Sequence, residues 1–282
     1  MKLIECPRDA MQGWHRHIAT VEKIAYLDAL LQVGFDTLDF GSFVSPKAIP
    51  QMADTQAVLA GLTQLPGRSK LLAIVANLRG AEEAVMHDAI RYLGFPFSIS
   101  ETFQLRNANK TIAASMEEVQ TIQELCIKNN KQLVIYISMG FGNPYGDPYN
   151  TDIVLQWVSE LAALEIPIIS LADTVGLADP PTISYLYKAL VPAYPAVEFG
   201  AHFHAAPHQW EEKVRAAWDQ GCRRFDSAIK GIGGCPMAKD ELVGNIATEN
   251  LLDFLARQRA KPALDKVAWE KAYRLAEKIF VP

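Results

Sequence analysis

The stretch Gln132-Leu-Val-Ile-Tyr-Ile-Ser138 decides the fold, together with the segment that follows it. It is a short run of apolar, β-branched and aromatic residues, which is typical of a buried strand. An amphipathic stretch follows at residues 151–164, and a second apolar run lies at residues 166–171. A strand, a helix and another strand in this order predict a parallel β–α–β unit.

The same alternation extends over the chain of 282 residues. Eight apolar runs have the character of strands, at residues 2–5, 37–40, 70–76, 95–100, 132–138, 166–171, 196–201 and 223–227. Helical patterns lie at residues 20–33, 115–130, 151–164, 180–190 and 207–221, and also after the second, third and eighth runs. Eight such units predict an α/β protein with a (β/α)8 TIM-barrel fold. The alternative is a doubly wound sheet, but no G-x-G-x-x-G motif follows the first run.

Capping residues predict where two helices begin. Thr20 is the expected N-cap of the first long helix, which closes at Gly34, and Ser115 with Glu118 form an expected capping box. Residues 266–279 indicate an additional C-terminal helix. Because no linker or low-complexity segment interrupts the pattern, we expect residues 1–282 to form a single catalytic barrel domain.

The composition argues against several kinds of partner. A net charge of −5 and a pI near 5.7 give no reason to expect nucleic acid or an anionic membrane surface. No apolar run approaches the roughly 18 residues that span a bilayer. The four cysteines, at positions 6, 126, 222 and 235, show no paired spacing, which indicates reduced thiols and a cytoplasmic protein.

Two histidines indicate a metal site. His202 and His204 are two residues apart in an extended segment and therefore point to the same side. The alternative is a pair of polar residues at a strand end. Asp9, after the first strand, is the best-placed third ligand, and the amide oxygen of Asn245 is a candidate fourth. Nitrogen and oxygen ligands with open positions favour Mg2+ or Mn2+ over a closed structural Zn2+ site.

Two charged residues accompany the predicted ligands. Arg8 precedes Asp9, and an arginine beside an anionic site commonly clamps a carboxylate or stabilises an oxyanion. Its alternative is a surface salt bridge. Asp173, in Leu171-Ala-Asp-Thr-Val-Gly176, follows the sixth strand. It is a candidate orienting group or base, and its alternative is a helix N-cap.

A glycine-rich loop presents a thiol. In Gly231-Ile-Gly-Gly-Cys-Pro236 the glycines leave the backbone mobile just before Cys235. Most single cysteines are small buried hydrophobic residues. In this setting the thiol is a candidate proton donor to a carbanion or enolate as the loop closes, and a nucleophile is the competing role.

These motifs resemble the 3-hydroxy-3-methylglutaryl-CoA lyase family, a branch of the metal-dependent barrel lyases and synthases. The similar stretches run in order over nearly the whole chain. They are Pro7-Arg-Asp9 with Gln12, Ser42-Phe-Val-Ser-Pro-Lys47, Ser100-Glu-Thr-Phe103, Asn107-Ala-Asn109, Ser170-Leu-Ala-Asp-Thr-Val-Gly176, His202-Phe-His204, Gly231-Ile-Gly-Gly-Cys-Pro-Met-Ala238 and Gly244-Asn-Ile-Ala-Thr-Glu249.

The resemblance implies a retro-Claisen cleavage of 3-hydroxy-3-methylglutaryl-CoA to acetyl-CoA and acetoacetate, a step of leucine degradation and ketone-body formation. It implies that Asp9, His202, His204 and Asn245 hold the metal. It also implies that Arg8 stabilises the enolate oxygen, that Cys235 donates the proton, and that Asp173 helps remove the proton of the tertiary hydroxyl. The expected substrate-binding residues are Gln12, Asp39, Ser42, Asn107, Ser170 and Thr174.

Four positions depart from the family pattern. They are Ala10 in place of Gly, Asp39 in place of Glu, Ala205 where Asp is common and Asn143 where Cys is frequent. These changes concern substrate identity more than reaction type. The alternative enzyme is an aldolase or Claisen-type catalyst acting on another hydroxy acid or acyl-CoA, and a third hypothesis is a non-catalytic barrel. We expect an acyl-CoA substrate and a homodimer.

Overall fold

Eight parallel strands close into a ring. The structure is a computed structural model that describes residues 1–63, 67–234 and 243–281. Each strand of the ring pairs in parallel with the next, and the eighth pairs with the first. The predicted TIM barrel is therefore confirmed. Its strands are β1 (Lys2–Glu5), β2 (Thr37–Ser42), β3 (Lys70–Ile74), β4 (Ile90–Ser98), β5 (Gln132–Ser138), β6 (Ile168–Asp173), β7 (Glu198–Ala205) and β8 (Arg224–Ser227).

Helices pack around this ring, and a two-residue strand, β9 (Gly244–Asn245), runs antiparallel to β7. The helices are α1 (Pro7–Gln12), α2 (Thr20–Val33), α3 (Thr55–Gly61), α4 (Leu78–Val85), α5 (Glu101–Ala108), α6 (Ile112–Lys128), α7 (Thr151–Ala163), α8 (Pro180–Ala193), α9 (Trp210–Asp219), α10 (Thr248–Arg257) and α11 (Lys266–Ile279). Short 3-10 turns cover Pro50–Met52 and Ile229–Gly231. None of these helices is both long enough and apolar enough to cross a bilayer.

The two predicted helix caps are wrong. The N-cap of α2 is Ala19, whose backbone N–H donates to the Glu22 carboxylate over 3.0 Å, and Thr20 is the first helical residue. Helix α6 begins earlier than expected because the Thr111 hydroxyl accepts from the Ala114 backbone N–H. The short helices α1 and α5 were not predicted, because a segment of six to eight residues is too short to show a helical period.

The predicted C-terminal helix, α11, is confirmed and packs against α2. The backbone N–H of Asp265 donates to the carbonyl of Val33 at the end of α2. After α11, the Phe280 ring meets Trp14 edge-on at 5.3 Å between centroids, and it meets Tyr26 at 6.1 Å. The helix thus covers apolar side chains of α2 that the barrel leaves exposed.

A buried carboxyl group joins the two ends of the segment that carries β9. Glu5, at the end of β1, accepts a hydrogen bond from the Ile229 backbone N–H over 2.8 Å and from the Thr248 hydroxyl over 2.6 Å. Ile229 precedes the glycine-rich loop and Thr248 follows it. Glu5 therefore fixes the residues on both sides of that loop to the end of β1.

Glu5 makes the stability of this protein depend on pH. Burial raises its pKa from 4.5 to about 8. Between these values the folded chain holds a proton that the unfolded chain has lost, so stability falls as pH rises, by about 1.4 kcal/mol per pH unit at most. Glu5→Gln, which stays neutral, is expected to flatten this slope. Urea unfolding of both proteins between about pH 5.5 and 7.5 checks this; parallel pH profiles would contradict it.

Candidate metal centre and active site

Polar side chains gather at the carboxyl ends of the strands, where active sites of such barrels lie. Asp9 lies on α1, directly after β1, because Pro7 starts a short helix there. His202 and His204 lie on β7, which extends four residues beyond the predicted end of the strand. The pairing of β7 with β9 sets Asn245 opposite His204. The four predicted metal ligands therefore meet at one mouth of the barrel.

The two imidazoles face each other through their Nε2 atoms, which are 3.2 Å apart. One ligand atom from each of Asp9, His202 and His204 lies within 4.8 Å of the others. The Nδ1 atom of His202 lies 3.1 Å from an oxygen of Asp226, and that of His204 lies 3.2 Å from the Thr174 carbonyl oxygen. Since both partners are acceptors, each Nδ1 carries the proton and each Nε2 offers a lone pair. Two lone pairs converging beside a carboxylate form a site for a positive charge.

The charges around these groups favour the metal-binding forms of His204 and Asp9, whereas they favour the protonated form of His202, whose proton a metal ion must displace. Burial, together with the neighbouring His202, lowers the pKa of His204 to about 4, so His204 is neutral near pH 7. Burial alone would raise the pKa of Asp9, but Arg8 and the two histidines outweigh it and lower the pKa to about 2. Burial also opposes the charged form of His202, but Asp226 and Asp9 outweigh it and raise the pKa.

The donor set fits a divalent metal ion. The amide nitrogen of Asn245 donates to Asp9 over 2.7 Å and to the Ile232 carbonyl over 2.9 Å, which leaves its amide oxygen as the group available to a cation. Two imidazole nitrogens with carboxylate and amide oxygens form a mixed nitrogen and oxygen donor set of the kind that holds a divalent metal ion. Cys6, His202 and Asp226 form a second close group. There, burial raises the pKa of the Cys6 thiol well above its usual value, so it stays protonated and is a poor ligand.

Arg8 lies between two carboxylates. Its Nη1 donates to Asp9 over 3.0 Å, whereas its Nε and Nη2 both donate to Asp39, at 3.0 and 2.5 Å. The shorter Asp39 side chain thus reaches Arg8. Among the residues that the structure describes, these contacts use three of the five guanidinium N–H bonds and leave two for a ligand. Gln12 donates to the same Asp9 oxygen over 2.9 Å.

One of the glycines before Cys235, Gly233, lies directly on two predicted metal ligands. A Cβ atom on Gly233 would lie 2.5 Å from the Asn245 amide nitrogen and 3.0 Å from an Asp9 oxygen, and the φ of Gly233 is +104°. Only glycine fits such a close approach. Cys235 itself lies outside the described residues. Its role stays a prediction, supported by the position of Gly233 two residues earlier.

Asp173 does not face the metal centre, contrary to the expectation that it acts on the substrate hydroxyl. On β6 and β7, Ala172 pairs with His202 and Asp173 pairs with Phe203, so Asp173 points to the opposite side of the sheet. Its carboxylate binds Lys213 of α9 over 2.7 Å and accepts from the Ala178 backbone N–H. Lys213 also donates to the carbonyl oxygen of His204 over 3.1 Å. Asp173 and Lys213 therefore fasten the end of β7 and the β6–α8 loop.

This buried ion pair predicts a large stability effect. Asp173→Asn leaves the Lys213 ammonium buried without a counter-charge, which costs about 3–5 kcal/mol. Asp173→Asn combined with Lys213→Met is expected to recover much of that loss. Glu83→Gln, which removes an exposed partner of Arg79, is the control and should cost under about 1 kcal/mol. Urea unfolding measures the stability of the three variants. If Asp173→Asn kept the parental stability but lost turnover, the hypothesis that Asp173 acts as a base on the substrate hydroxyl would be restored.

The remaining predicted substrate residues differ in position. The Thr174 hydroxyl accepts from the Met139 backbone N–H, and its carbonyl orients His204. The Ser42 hydroxyl accepts from the Val44 N–H. Asn107 is exposed on α5, and Ser170 is fully buried inside the barrel, below the mouth. Of the predicted substrate residues, Gln12 and Thr174 contact predicted metal ligands directly, whereas Asp39 is linked to Asp9 through Arg8.

Sequence reasoning missed Asp226 and Lys213, the two side chains that hold His202 and the end of β7. Asp226 lies in the fully buried strand β8, which reads Arg-Phe-Asp-Ser, and a charged residue in a buried strand is a signal that the sequence carried. Lys213 gave no such signal, because it lies on a polar amphipathic helix among other charged residues.

The fold and the site define a barrel enzyme with a metal-binding centre at the carboxyl ends of its strands. The HMGL-like family model matches residues 3–276, and the chain belongs to this HMGL-like family. The predicted lyase family is thereby confirmed.

Individual relatives agree with this assignment. The 3-hydroxy-3-isohexenylglutaryl-CoA/hydroxy-methylglutaryl-CoA lyase of Pseudomonas aeruginosa is 33% identical over 259 residues, which covers 90% of this chain and 84% of that protein. The mitochondrial hydroxymethylglutaryl-CoA lyase of Mus musculus is 32% identical, covering 90% and 78%. The structure of an HMG-CoA lyase from Acinetobacter baumannii, in complex with coenzyme A and 3-methylmalate, matches with a TM-score of 0.90 and 31% identity, covering 99% of this chain and 90% of that one.

Proposed function

We propose that this protein is a divalent-metal-dependent lyase that cleaves 3-hydroxy-3-methylglutaryl-CoA to acetyl-CoA and acetoacetate. One observation carries the proposal: two imidazole lone pairs converge on the Asp9 carboxylate at the barrel mouth, beside the partly free guanidinium of Arg8. Asp9, His202, His204 and Asn245 would hold Mg2+ or Mn2+. When bound, the metal would act as a Lewis acid that makes the substrate hydroxyl easier to deprotonate.

Each protein group has a role in the bond cleavage. The hydroxyl proton would leave to solvent water, and the electron pair on that oxygen would form the ketone of acetoacetate as the carbon–carbon bond breaks. The electron pair of the broken bond moves into the thioester half, which becomes an enolate. The two unused N–H bonds of Arg8 would donate to that enolate oxygen, and Asp39 holds the guanidinium in place for this. Cys235 would then supply the proton that turns the enolate carbon into the methyl group of acetyl-CoA. Asp173 is a positioning group for β7 in this scheme and has no contact with substrate.

The proposal also covers the substrate class, the oligomeric state, the cellular compartment and the substrate-binding residues. An acyl-CoA substrate is supported by the coenzyme A complex of the A. baumannii relative. We further propose a homodimer of single-domain subunits acting in the cytoplasm, in leucine degradation and ketone-body formation. Gln12, Ser42, Asn107, Ser170 and Thr174 stay proposed substrate-binding residues, and for Ser170 and Thr174 the structure favours a supporting role.

An assay of acetyl-CoA and acetoacetate release tests the activity. We expect turnover of 3-hydroxy-3-methylglutaryl-CoA with Mg2+ or Mn2+, loss of turnover with a chelator, and recovery when metal is returned. The control substrate is a 3-hydroxyacyl-CoA that lacks the free carboxylate of 3-hydroxy-3-methylglutaryl-CoA. Failure to release acetyl-CoA from 3-hydroxy-3-methylglutaryl-CoA, with cleavage of another hydroxy acid, would replace this proposal by the related aldolase or Claisen-type activity.

A further inference from the structure

A row of polar side chains lines the inside of the barrel directly below the metal centre. The ladder pairs Tyr136 of β5 with Ser170 of β6, Ser170 with Gly200 of β7, and Gly200 with Arg224 of β8. Asp226 lies two residues further along β8, on the same side as Arg224 and one layer closer to the mouth. It is the carboxylate that holds Nδ1 of His202.

These four side chains carry buried polar atoms that lack a partner within the described ranges. The atoms are the Tyr136 hydroxyl, the Ser170 hydroxyl, Nε and Nη2 of Arg224, and Oδ1 of Asp226. All four residues are more than nine-tenths buried. Buried polar groups in native proteins nearly always bond to protein or to ordered water. Five orphaned atoms in one part of the barrel therefore indicate a bound species that joins them.

Two of these side chains, Ser170 and Arg224, approach each other over Gly200. A Cβ atom added to Gly200 would lie 2.9 Å from the Ser170 hydroxyl oxygen and 3.0 Å from Cδ of Arg224. Gly200 thus allows Ser170 and Arg224 to approach each other across β7. The Tyr136 ring lies 5.7 Å from the His202 ring, which extends this group up to the metal ligand.

The chemistry of the orphaned atoms selects water as the ligand. Arg224 offers only donors, and Asp226 Oδ1 is an acceptor, whereas the two hydroxyls can serve as either. An anion would be repelled by Asp226, and a cation would be repelled by Arg224. Water can accept from the guanidinium and donate to the carboxylate at the same time.

We propose that Tyr136, Ser170, Arg224 and Asp226 form an internal hydration site, in which bound water joins the guanidinium to Asp226 and so fixes His202 for the metal. This inference rests on the proposed metal centre. Arg224, Tyr136 and Ser170 act here as positioning residues, because their orphaned polar atoms would act on His202 through water and Asp226. Groups that orient a ligating histidine commonly affect metal affinity as well.

Mn2+ titration calorimetry without substrate tests the positioning role. Tyr136→Phe and Ser170→Ala each remove one hydroxyl, and each is expected to weaken Mn2+ binding by about 10-fold, the lower end of the effect of such outer groups. Tyr26→Phe, which removes a hydroxyl from a buried tyrosine of α2 outside the barrel interior, is the matched control and should bind as the parent does. Parental affinity in both hydroxyl variants would overturn the inference.

A double-mutant cycle separates this role from a general loss of packing. If water joins Tyr136 to Asp226, the effect of Tyr136→Phe on Mn2+ affinity should largely disappear in an Asp226→Asn background. Additive effects would overturn the inference, while a parent that binds neither Mn2+ nor Mg2+ would overturn the metal centre itself.

A high-resolution crystal structure of the parent gives a readout independent of metal. We expect a solvent peak within hydrogen-bond distance of both Arg224 and Asp226, and its loss in Gly200→Ala. Direct contact between Arg224 and Asp226 without a solvent peak would contradict the proposal.

Discussion

Cys235→Ala is expected to lower kcat for acetyl-CoA release by about 10²–10⁴-fold, the range that a positioned proton donor contributes. Metal binding should be unchanged, because the predicted ligands lie on α1, β7 and β9. The measurement is steady-state turnover together with Mn2+ stoichiometry in the same preparation. The two readouts separate a lost proton donor from a damaged metal centre.

The described residues next to the loop are the physical reason for this expectation. Gly233 packs against Asp9 and Asn245 with a positive φ that glycine adopts readily. Consecutive Cα atoms are about 3.8 Å apart, so the backbone of residue 235 begins within about 8 Å of Gly233. A thiol at this distance can reach a substrate bound at the metal.

Two further variants sharpen this experiment. Cys126→Ala removes a buried thiol on α6, far from the barrel mouth, and should leave kcat at the parental value. Cys235→Ser keeps a proton at the same position but on a much weaker acid, and should recover only part of the activity. Parental kcat in Cys235→Ala would refute the proton-donor role. A covalent acyl adduct on Cys235, detected by mass spectrometry, would favour the nucleophile alternative.

The sequence predicted those parts of the fold that local patterns encode. The bounds of β5, α2 and α11 match the expected ones, because β5 is a long apolar run, α11 has a clear helical period and Gly34 ends α2. Strand β7 was predicted too short, since polar His202 and His204 interrupt its apolar pattern. The capping residues of α2 and α6 were wrong because several neighbouring side chains can serve as caps, and tertiary contacts such as that of Glu118 with the Leu78 backbone decide between them.

For the candidate site, too, the sequence predicted what the strand order determines but not what tertiary contacts determine. Asp9, His202, His204 and Asn245 could be brought together from sequence because a closed barrel sets the ends of the first, seventh and eighth units side by side. The orientation of Asp173 could not be predicted in this way. A shift of one residue along a strand reverses the side that a residue faces, and Lys213, its partner, is 40 residues away in sequence.

His202→Ala is expected to abolish stoichiometric metal binding and, with it, turnover. The variant removes one of the two facing Nε2 atoms and leaves Asp226 buried without its imidazole partner. We expect Mn2+ affinity to fall by more than about 100-fold, beyond the effect of losing an outer orienting group. Elemental analysis after dialysis, and calorimetry with added Mn2+, measure the loss.

His208→Ala is the matched control for this prediction. His208 lies only a few residues further along the chain, but it is exposed and does not belong to the converging group. This variant should keep one metal ion per chain and parental turnover. If His202→Ala instead retained stoichiometric metal while His208→Ala lost it, the cation would have to be held elsewhere on the barrel mouth. The pairing of Nε2 atoms would then be an ordinary proton-sharing contact between two histidines.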